Sequence, residues 1–227
     1  MSSSRTVLLT GFDPFGGETV NPSWESLRLL QGDTIAGHRI ETAILTTAFV
    51  RGASALLDAL DRYRPALTLC VGQAGGRAHL SFERVAINTI DARIADNDGA
   101  RPIDIPCVAG APAAYFATAP IKAMRAAVAA ANIPVEVSNT AGTFVCNHVF
   151  YVLMHALAAE RNGKHESARD RHPRGGFVHV PYLEEQARRQ GSMAFMRIET
   201  MTAGLRIAIA TALRTEQDIL DGAGATH

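Results

Sequence analysis

The sequence is poor in cysteine, in aromatic residues and in net charge. Its 227 residues include three cysteines, Cys70, Cys107 and Cys146, and no CxxC pair. So few thiols do not make the disulfide framework of a small secreted domain, and this favours a reducing compartment. Lys and Arg together number 22, as do Asp and Glu, so the formal net charge is zero. Such neutrality gives no support to binding of nucleic acid or of an acidic membrane surface.

The chain also lacks the patterns of membrane, metal and nucleotide proteins. No run of 18 or more apolar residues occurs, and residues 1–5 have no apolar signal core. No Cys or carboxylate spacing indicates a metal site, and the glycine-rich turns do not match a phosphate-binding loop. We therefore expect a cytoplasmic, soluble protein without a cofactor.

What the sequence does contain is an alternation of strand-like and helix-like segments. Strands are predicted over 6–10, 40–45, 66–71, 133–138 and 175–181, and helices from 21 onward and over 51–64, 113–131, 145–160 and 197–220. This order predicts an α/β protein, a single-domain three-layer αβα open sandwich with a mixed, mostly parallel sheet. The length fits one domain over residues 1–227. The charged stretch 160–174 is predicted to be exposed.

Cys146 stands where a predicted strand gives way to a predicted helix. Residues 138–144 are rich in small, turn-favouring types, and the apolar run from Val145 predicts a helix buried on most sides. Cys146 would lie in the first turn, where free backbone N–H groups and the helix dipole favour a thiolate and an oxyanion. We therefore expect a lowered cysteine pKa. An inert core cysteine is the alternative, and the helical pattern fits both.

Two histidines are candidate partners for Cys146. His148 is close in sequence but lies about 200° around the helix from Cys146, so it should point away. His179 is near the end of the last predicted strand, at the sheet edge where Cys146 is also expected. Taken alone, His179 fits a core histidine as well as a catalytic one.

Two glycine-rich loops follow predicted strands, where open α/β sheets place their ligands. Residues 11–17 include Phe12 and Phe15, which either fold back onto the core or form an apolar wall for a ligand. Residues 72–77 form the second loop. Glu83 and Arg93, further on, are by themselves ordinary charges that are more often solvated.

Four segments carry a resemblance to a known family. They are LLTGFDPFGGETVNPSWE (8–25), CVGQAGGR (70–77) with ERVAIN (83–88), TAGTFVCNH (140–148) and GFVHVPY (176–182). Together they span nearly the whole chain, and they resemble the pyroglutamyl peptidase I (pyrrolidone carboxyl peptidase) family of cysteine peptidases. The resemblance implies a Cys-His-Glu triad of Cys146 as nucleophile, His179 as general base and then acid, and Glu83 orienting the imidazole.

The same resemblance implies the rest of the site. It suggests that Arg93 and the backbone N–H of Cys146 stabilise an oxyanion. The pyroglutamyl ring would be lined by four side chains, Phe12, Phe15, Gln73 and Phe144. The implied substrates are peptides with an N-terminal pyroglutamate, hydrolysed through a thioester acyl-enzyme, and the implied assembly is a homo-oligomer, either a dimer or a tetramer.

Two other functions stay open on the residues. One is a catalytically silent binder of pyroglutamyl peptides, suggested by departures from the family pattern such as Asn139 in place of tyrosine and Ala95 in place of proline. The other is a glutaminase-like or nucleoside-processing enzyme of similar build. That enzyme would need a phosphate or amino-acid carboxylate site, and no motif in the sequence indicates one.

Overall fold

The computed structural model describes residues 5–163 and 172–224. Its strands are β1 (Thr6–Phe12), β2 (Thr34–Ile35), β3 (His38–Leu45), β4 (Leu67–Gln73), β5 (Leu80–Glu83), β6 (Val85–Ile87), β7 (Ala114–Phe116), β8 (Val135–Ser138) and β9 (Arg174–Val180). Its helices are α1 (Pro22–Arg28), α2 (Phe49–Tyr63), α3 (Ile121–Ala130), α4 (Val145–Gly163), α5 (Glu184–Arg189) and α6 (Ile198–Arg214). Most of the charged stretch 160–174 lies outside the described residues.

A seven-stranded mixed sheet forms the middle layer, in the order β2-β3-β1-β4-β9-β5-β8. Four neighbouring pairs are parallel, while β2 with β3 and β5 with β9 are antiparallel. The central strand β4 is buried at every residue except Gln73. Its near-continuous apolar sequence suits a strand that is covered on both faces.

Helices cover both faces of this sheet, which confirms the predicted αβα architecture. On one face α1, α3 and α6 pack together over a core that includes Leu9, Met124 and Leu205. On the other face α2 and α4 pack together over a second core, which includes Leu45 of β3 and Val149 of α4. Among the described helices, none combines the length and the hydropathy that a bilayer span requires.

Two predicted helices are shorter than expected. The helix predicted over 113–131 begins only at Ile121, because Pro120 cannot sit in a helix interior, and residues 114–116 form β7 against β6. The helix predicted over 197–220 ends at Arg214. The chain then crosses to the start of α3. There the carboxylate of Asp218 accepts hydrogen bonds from two backbone N–H groups in the first turn of α3, which have no partner within the helix.

Candidate active site

Cys146 is the second residue of α4, and its thiol lies over the end of β4. A Cβ atom added to Gly72 would stand 2.8 Å from the Cys146 Sγ. Gly72 pairs in register with His179 on the neighbouring strand β9. Because adjacent strands are about 4.8 Å apart, the thiol stands next to the imidazole. Cys146 and His179 line one cavity of about 330 Å³.

The His179 imidazole is held by a buried carboxylate on the next strand. Ser81 is opposite His179 in the antiparallel β5–β9 pair, and Glu83 is opposite Phe177. Glu83 and His179 are therefore diagonal neighbours on one face, within reach of long side chains. The Nδ1–H of His179 donates to the Glu83 Oε1 at 2.7 Å. In the neutral ring, Nε2 is then free to accept a proton.

Glu83 lies deeper in the sheet than His179, and its side chain is 0% exposed. Burial alone would raise its pKa, but the hydrogen bond and charge of His179, the Ser138 hydroxyl and the Arg77 guanidinium together hold the pKa below its ordinary value. The Nη1 of Arg77 donates to the Glu83 Oε1 at 2.7 Å. Glu83 is therefore a carboxylate at neutral pH.

The Cys146 thiol does not have the lowered pKa that its place at a helix start predicts. Burial raises the pKa of Cys146 to about 12, the charge of Glu83 adds to the rise, and Arg77 opposes it. Removal of water from around the sulfur outweighs the helix dipole here. At neutral pH the thiol keeps its proton, so a nucleophile forms only by proton transfer to a neighbouring base. The imidazole of His179 lines the same cavity, and an imidazole is a group that can accept a proton.

Most of the predicted site residues surround this cavity. Phe15 and Phe144 form an aromatic pair with ring centroids 6.5 Å apart, and Phe49 packs edge-on against Phe144 at 5.4 Å. Arg93 is exposed, and Gln73 is half-buried. The predicted residues that line the cavity are Phe15, Gln73, Arg93, Phe144, Cys146 and His179.

Phe12 is the predicted pocket residue that the structure places elsewhere. Its side chain is 2% exposed and belongs to the hydrophobic core. Its ring centroid lies 6.5 Å from that of Phe177. The β1 register explains this position, because Phe12 is still within the strand and only the following loop reaches the cavity.

Two loops that border the cavity are joined by hydrogen bonds that the sequence did not suggest. The Asp13 carboxylate accepts from the Thr47 backbone N–H at 2.7 Å and from the Asn97 side chain at 3.1 Å. Asn97 also donates to the carbonyl of Pro14 at 2.9 Å. These bonds hold the loop of Phe15 against the segment that carries Arg93.

Other candidates from the sequence lie away from the cavity. His148 is buried against Phe49, with ring centroids 5.8 Å apart, so the prediction that it points away from Cys146 is confirmed. Cys70 is fully buried, and burial raises its pKa to about 12. Asn139, one of the departures from the family pattern, accepts a hydrogen bond from Arg84 at 2.8 Å. Across residues 5–163 and 172–224, no group of three or more His, Cys, Asp or Glu side chains could hold a metal ion.

In this αβα sandwich, a thiol lies beside an imidazole, and a buried carboxylate orients the imidazole. Cysteine-dependent hydrolases as a class have this arrangement. Residues 5–215 match the profile of the family described as pyroglutamyl peptidase. The chain belongs to the pyroglutamyl peptidase family, whose members are cysteine-type exopeptidases.

Individual relatives agree with this assignment along their whole length. The chain is 52% identical over 223 residues to the pyrrolidone-carboxylate peptidase of Cupriavidus necator, covering 98% of this chain and 100% of that protein. It is 45% identical to the protein of the same name from Bacillus cytotoxicus, with the same coverage. The crystal structure of pyroglutamyl peptidase I from Bacillus amyloliquefaciens superposes with a TM-score of 0.88 at 44% identity, covering 96% of this chain and all of that one.

Proposed function

We propose that this chain is a cysteine omega-peptidase that hydrolyses the amide bond after an N-terminal pyroglutamyl residue. Cys146, His179 and Glu83 act as the triad. The observation that carries the proposal is the 2.7 Å contact of His179 with Glu83, at a cavity that His179 shares with Cys146. Membership of the pyroglutamyl peptidase family supports the substrate class.

The proposed reaction follows from the protonation states of the three groups. His179 Nε2 takes the proton of the Cys146 thiol as Sγ attacks the scissile carbonyl carbon. The imidazolium, stabilised by the Glu83 carboxylate, then gives that proton to the leaving amine, and a thioester remains on Cys146. Water, deprotonated by His179, attacks the thioester and releases pyroglutamate. The thiol is restored at the end of the cycle.

The oxyanion and the ring are bound by the groups around the triad. The backbone N–H of Cys146, at the start of α4, and the Arg93 guanidinium donate to the oxyanion. A pyroglutamyl ring has no ammonium group, so the apolar surfaces of Phe15 and Phe144 suit it. Because the Gln73 Oε1 already accepts from Gln186 at 3.2 Å, the Gln73 amide NH₂ is available to donate to the lactam carbonyl.

We also propose that residues 1–227 form one catalytic domain that acts in the cytoplasm as a dimer or tetramer. The seven-stranded mixed sheet, to which strands from both ends of the chain contribute, supports one domain. The resemblance to the family supports the assembly. Sedimentation velocity of the purified protein tests it, and a monomer at assay concentration would contradict it.

Release of a fluorogenic amine from a pyroglutamyl amide under reducing conditions tests the function. We expect the wild type to be active and Cys146→Ala to lose at least about 1,000-fold in kcat/KM. Cys107→Ala, which removes a half-buried thiol outside the cavity, is the matched control and should keep full activity. A folded, reduced wild type that binds the amide without turning it over would replace the peptidase with the silent binder.

A further inference from the structure

One guanidinium connects the buried carboxylate to the loop that leads to Cys146. Arg77 lies in the turn between β4 and β5, and its Nη1 donates to the Glu83 Oε1 at 2.7 Å. Its Nη2 donates to the carbonyl of Thr140 at 3.3 Å. The same Glu83 oxygen also accepts from His179, while Glu83 Oε2 has no hydrogen-bond partner. Arg77 and His179 therefore share one carboxylate oxygen.

We propose that Arg77 is a positioning residue that keeps Glu83 ionised and holds its carboxylate against His179. This inference rests on the proposed function. Arg77 does not line the cavity and would act mainly through Glu83, while its charge also opposes the rise in the pKa of Cys146.

Four groups from different elements surround Glu83, and they differ in the charge that they carry. Its neighbours are the imidazole of His179 from β9, the hydroxyl of Ser138 from β8, the thiol of Cys146 from α4 and the guanidinium of Arg77. The imidazole of His179 and the hydroxyl of Ser138 both lower the pKa of Glu83, and the guanidinium of Arg77 adds to their effect. Among these described neighbours, Arg77 alone has a positive charge that does not depend on pH. A fully buried carboxylate without such a charge takes up a proton more readily.

The shape of the arginine side chain matters as well as its charge. Its two Nη groups contact Glu83 and Thr140 at the same time, which a lysine ammonium on a flexible stem cannot reproduce with the same geometry. The Arg77 side chain is 28% exposed, so its replacement does not open a cavity in the core. A variant at this position should fold.

The proposed role predicts a change in pH dependence. Without Arg77, the Glu83 carboxyl keeps its proton up to a higher pH, and a protonated Glu83 cannot stabilise the imidazolium of His179. The acid limb of kcat/KM reports the essential groups of the free enzyme, so a change in the ionisation of Glu83 should appear in that limb. The limb should move to higher pH, with little change in KM, because the pocket walls are untouched.

The test is the pH profile of kcat/KM on the fluorogenic pyroglutamyl amide, from about pH 4 to about pH 10. We expect Arg77→Met to lower kcat at neutral pH by at least about 10-fold and to raise the acid limb by about one pH unit. Arg77→Gln, which keeps a donor without the charge, should behave in the same way. In Arg77→Lys, the acid limb should lie close to its wild-type pH, while kcat should recover only in part.

Arg84→Met is the matched control, because Arg84 follows Glu83 directly but donates to Asn139 and to the Ala223 carbonyl. Its acid limb should stay at the wild-type position. An unmoved limb in both Arg77→Met and Arg77→Gln, or an equal shift in Arg84→Met, would overturn the inference.

A second measurement does not depend on activity. Carbon-detected NMR of the Glu83 carboxyl should show a higher pKa in Arg77→Met than in the wild type, and an unchanged pKa would also overturn the inference. An inactive wild type would contradict the proposed function, while this titration would still decide the role of Arg77.

Discussion

The sulfur of Cys146 lies against the backbone of Gly72, at a distance that leaves no room for a Cβ atom. Such an atom would stand 2.8 Å from Sγ and 2.8 Å from the ring of Phe177. Real Cβ contacts are essentially never that short. The absent side chain of Gly72 therefore decides how close the thiol comes to His179 on the next strand.

Gly72→Ala should displace the Cys146 sulfur and lower kcat/KM by about 10- to 100-fold, because misplacing a reacting group by about 1 Å has effects of this size. Kinetics on the pyroglutamyl amide, together with urea unfolding, measure the change. Gly176→Ala is the control, since its added Cβ would approach Ala119 at 3.3 Å and lies away from Cys146. Wild-type activity in Gly72→Ala would show that the contact does not position the thiol.

Phe15 and Phe12 should respond differently to truncation. Phe15→Ala removes part of the cavity wall, so we expect KM to rise while the free energy of unfolding stays near the wild-type value. Phe12→Ala removes a core ring, and should lower the free energy of unfolding by about 3–5 kcal/mol. Urea denaturation and KM distinguish the two residues. An increased KM without a loss of stability in Phe12→Ala would return Phe12 to the substrate pocket.

The ionisation of Cys146 should depend on His179. Because burial raises the thiol pKa to about 12, the His179→Ala variant should react with iodoacetamide at least about 10-fold more slowly than the wild type at neutral pH. In the variant, the rate should still be rising at about pH 10. Mass spectrometry of the Cys146 peptide measures the rate. A plateau below about pH 8 in the variant would mean that the helix N-terminus ionises the thiol without help.

Because of Glu83, the free energy of unfolding should fall at acid pH. The pKa of Glu83 in the folded chain is below its ordinary value of 4.5, so the unfolded chain binds the proton more tightly. The stabilisation from Glu83 is therefore fully present above about pH 4.5 and is lost as the pH falls through the folded-state pKa.

Urea unfolding of the wild type and of Glu83→Gln between about pH 3 and about pH 7 measures this effect. The wild-type free energy of unfolding should fall more steeply with acid than that of the variant. Parallel curves would mean that Glu83 has the same pKa in both states.

Much of this fold follows from local patterns in the sequence. The apolar runs that became β1 and β4 have the composition of strands covered on both sides, and the turn before Val145 marks the start of a buried helix. These features depend on residues that are close in the chain. The position of Cys146 in the first turn could therefore be predicted, and it is confirmed.

The features that were not predicted depend on residues far apart in the chain. The four residues of β5 are too few to show a period, and their direction is set by pairing with β9, about a hundred residues later. The raised pKa of Cys146 reflects burial by elements that are far from it in the chain. Arg77 was visible only as one charge in a glycine-rich turn. Its partner Glu83 is a neighbour because of how the sheet is assembled.

The position of β9 between β4 and β5 also has a consequence for synthesis. During synthesis, β4 and β5 are made long before β9 (Arg174–Val180). Until β9 is made, each of them has an edge without its final partner, and such an edge can pair with another chain. His179 arrives on that same late strand. We therefore expect newly made chains to aggregate more readily before β9 has paired with both neighbours. The pairing that completes the sheet also brings the imidazole of His179 to the cavity that Cys146 lines.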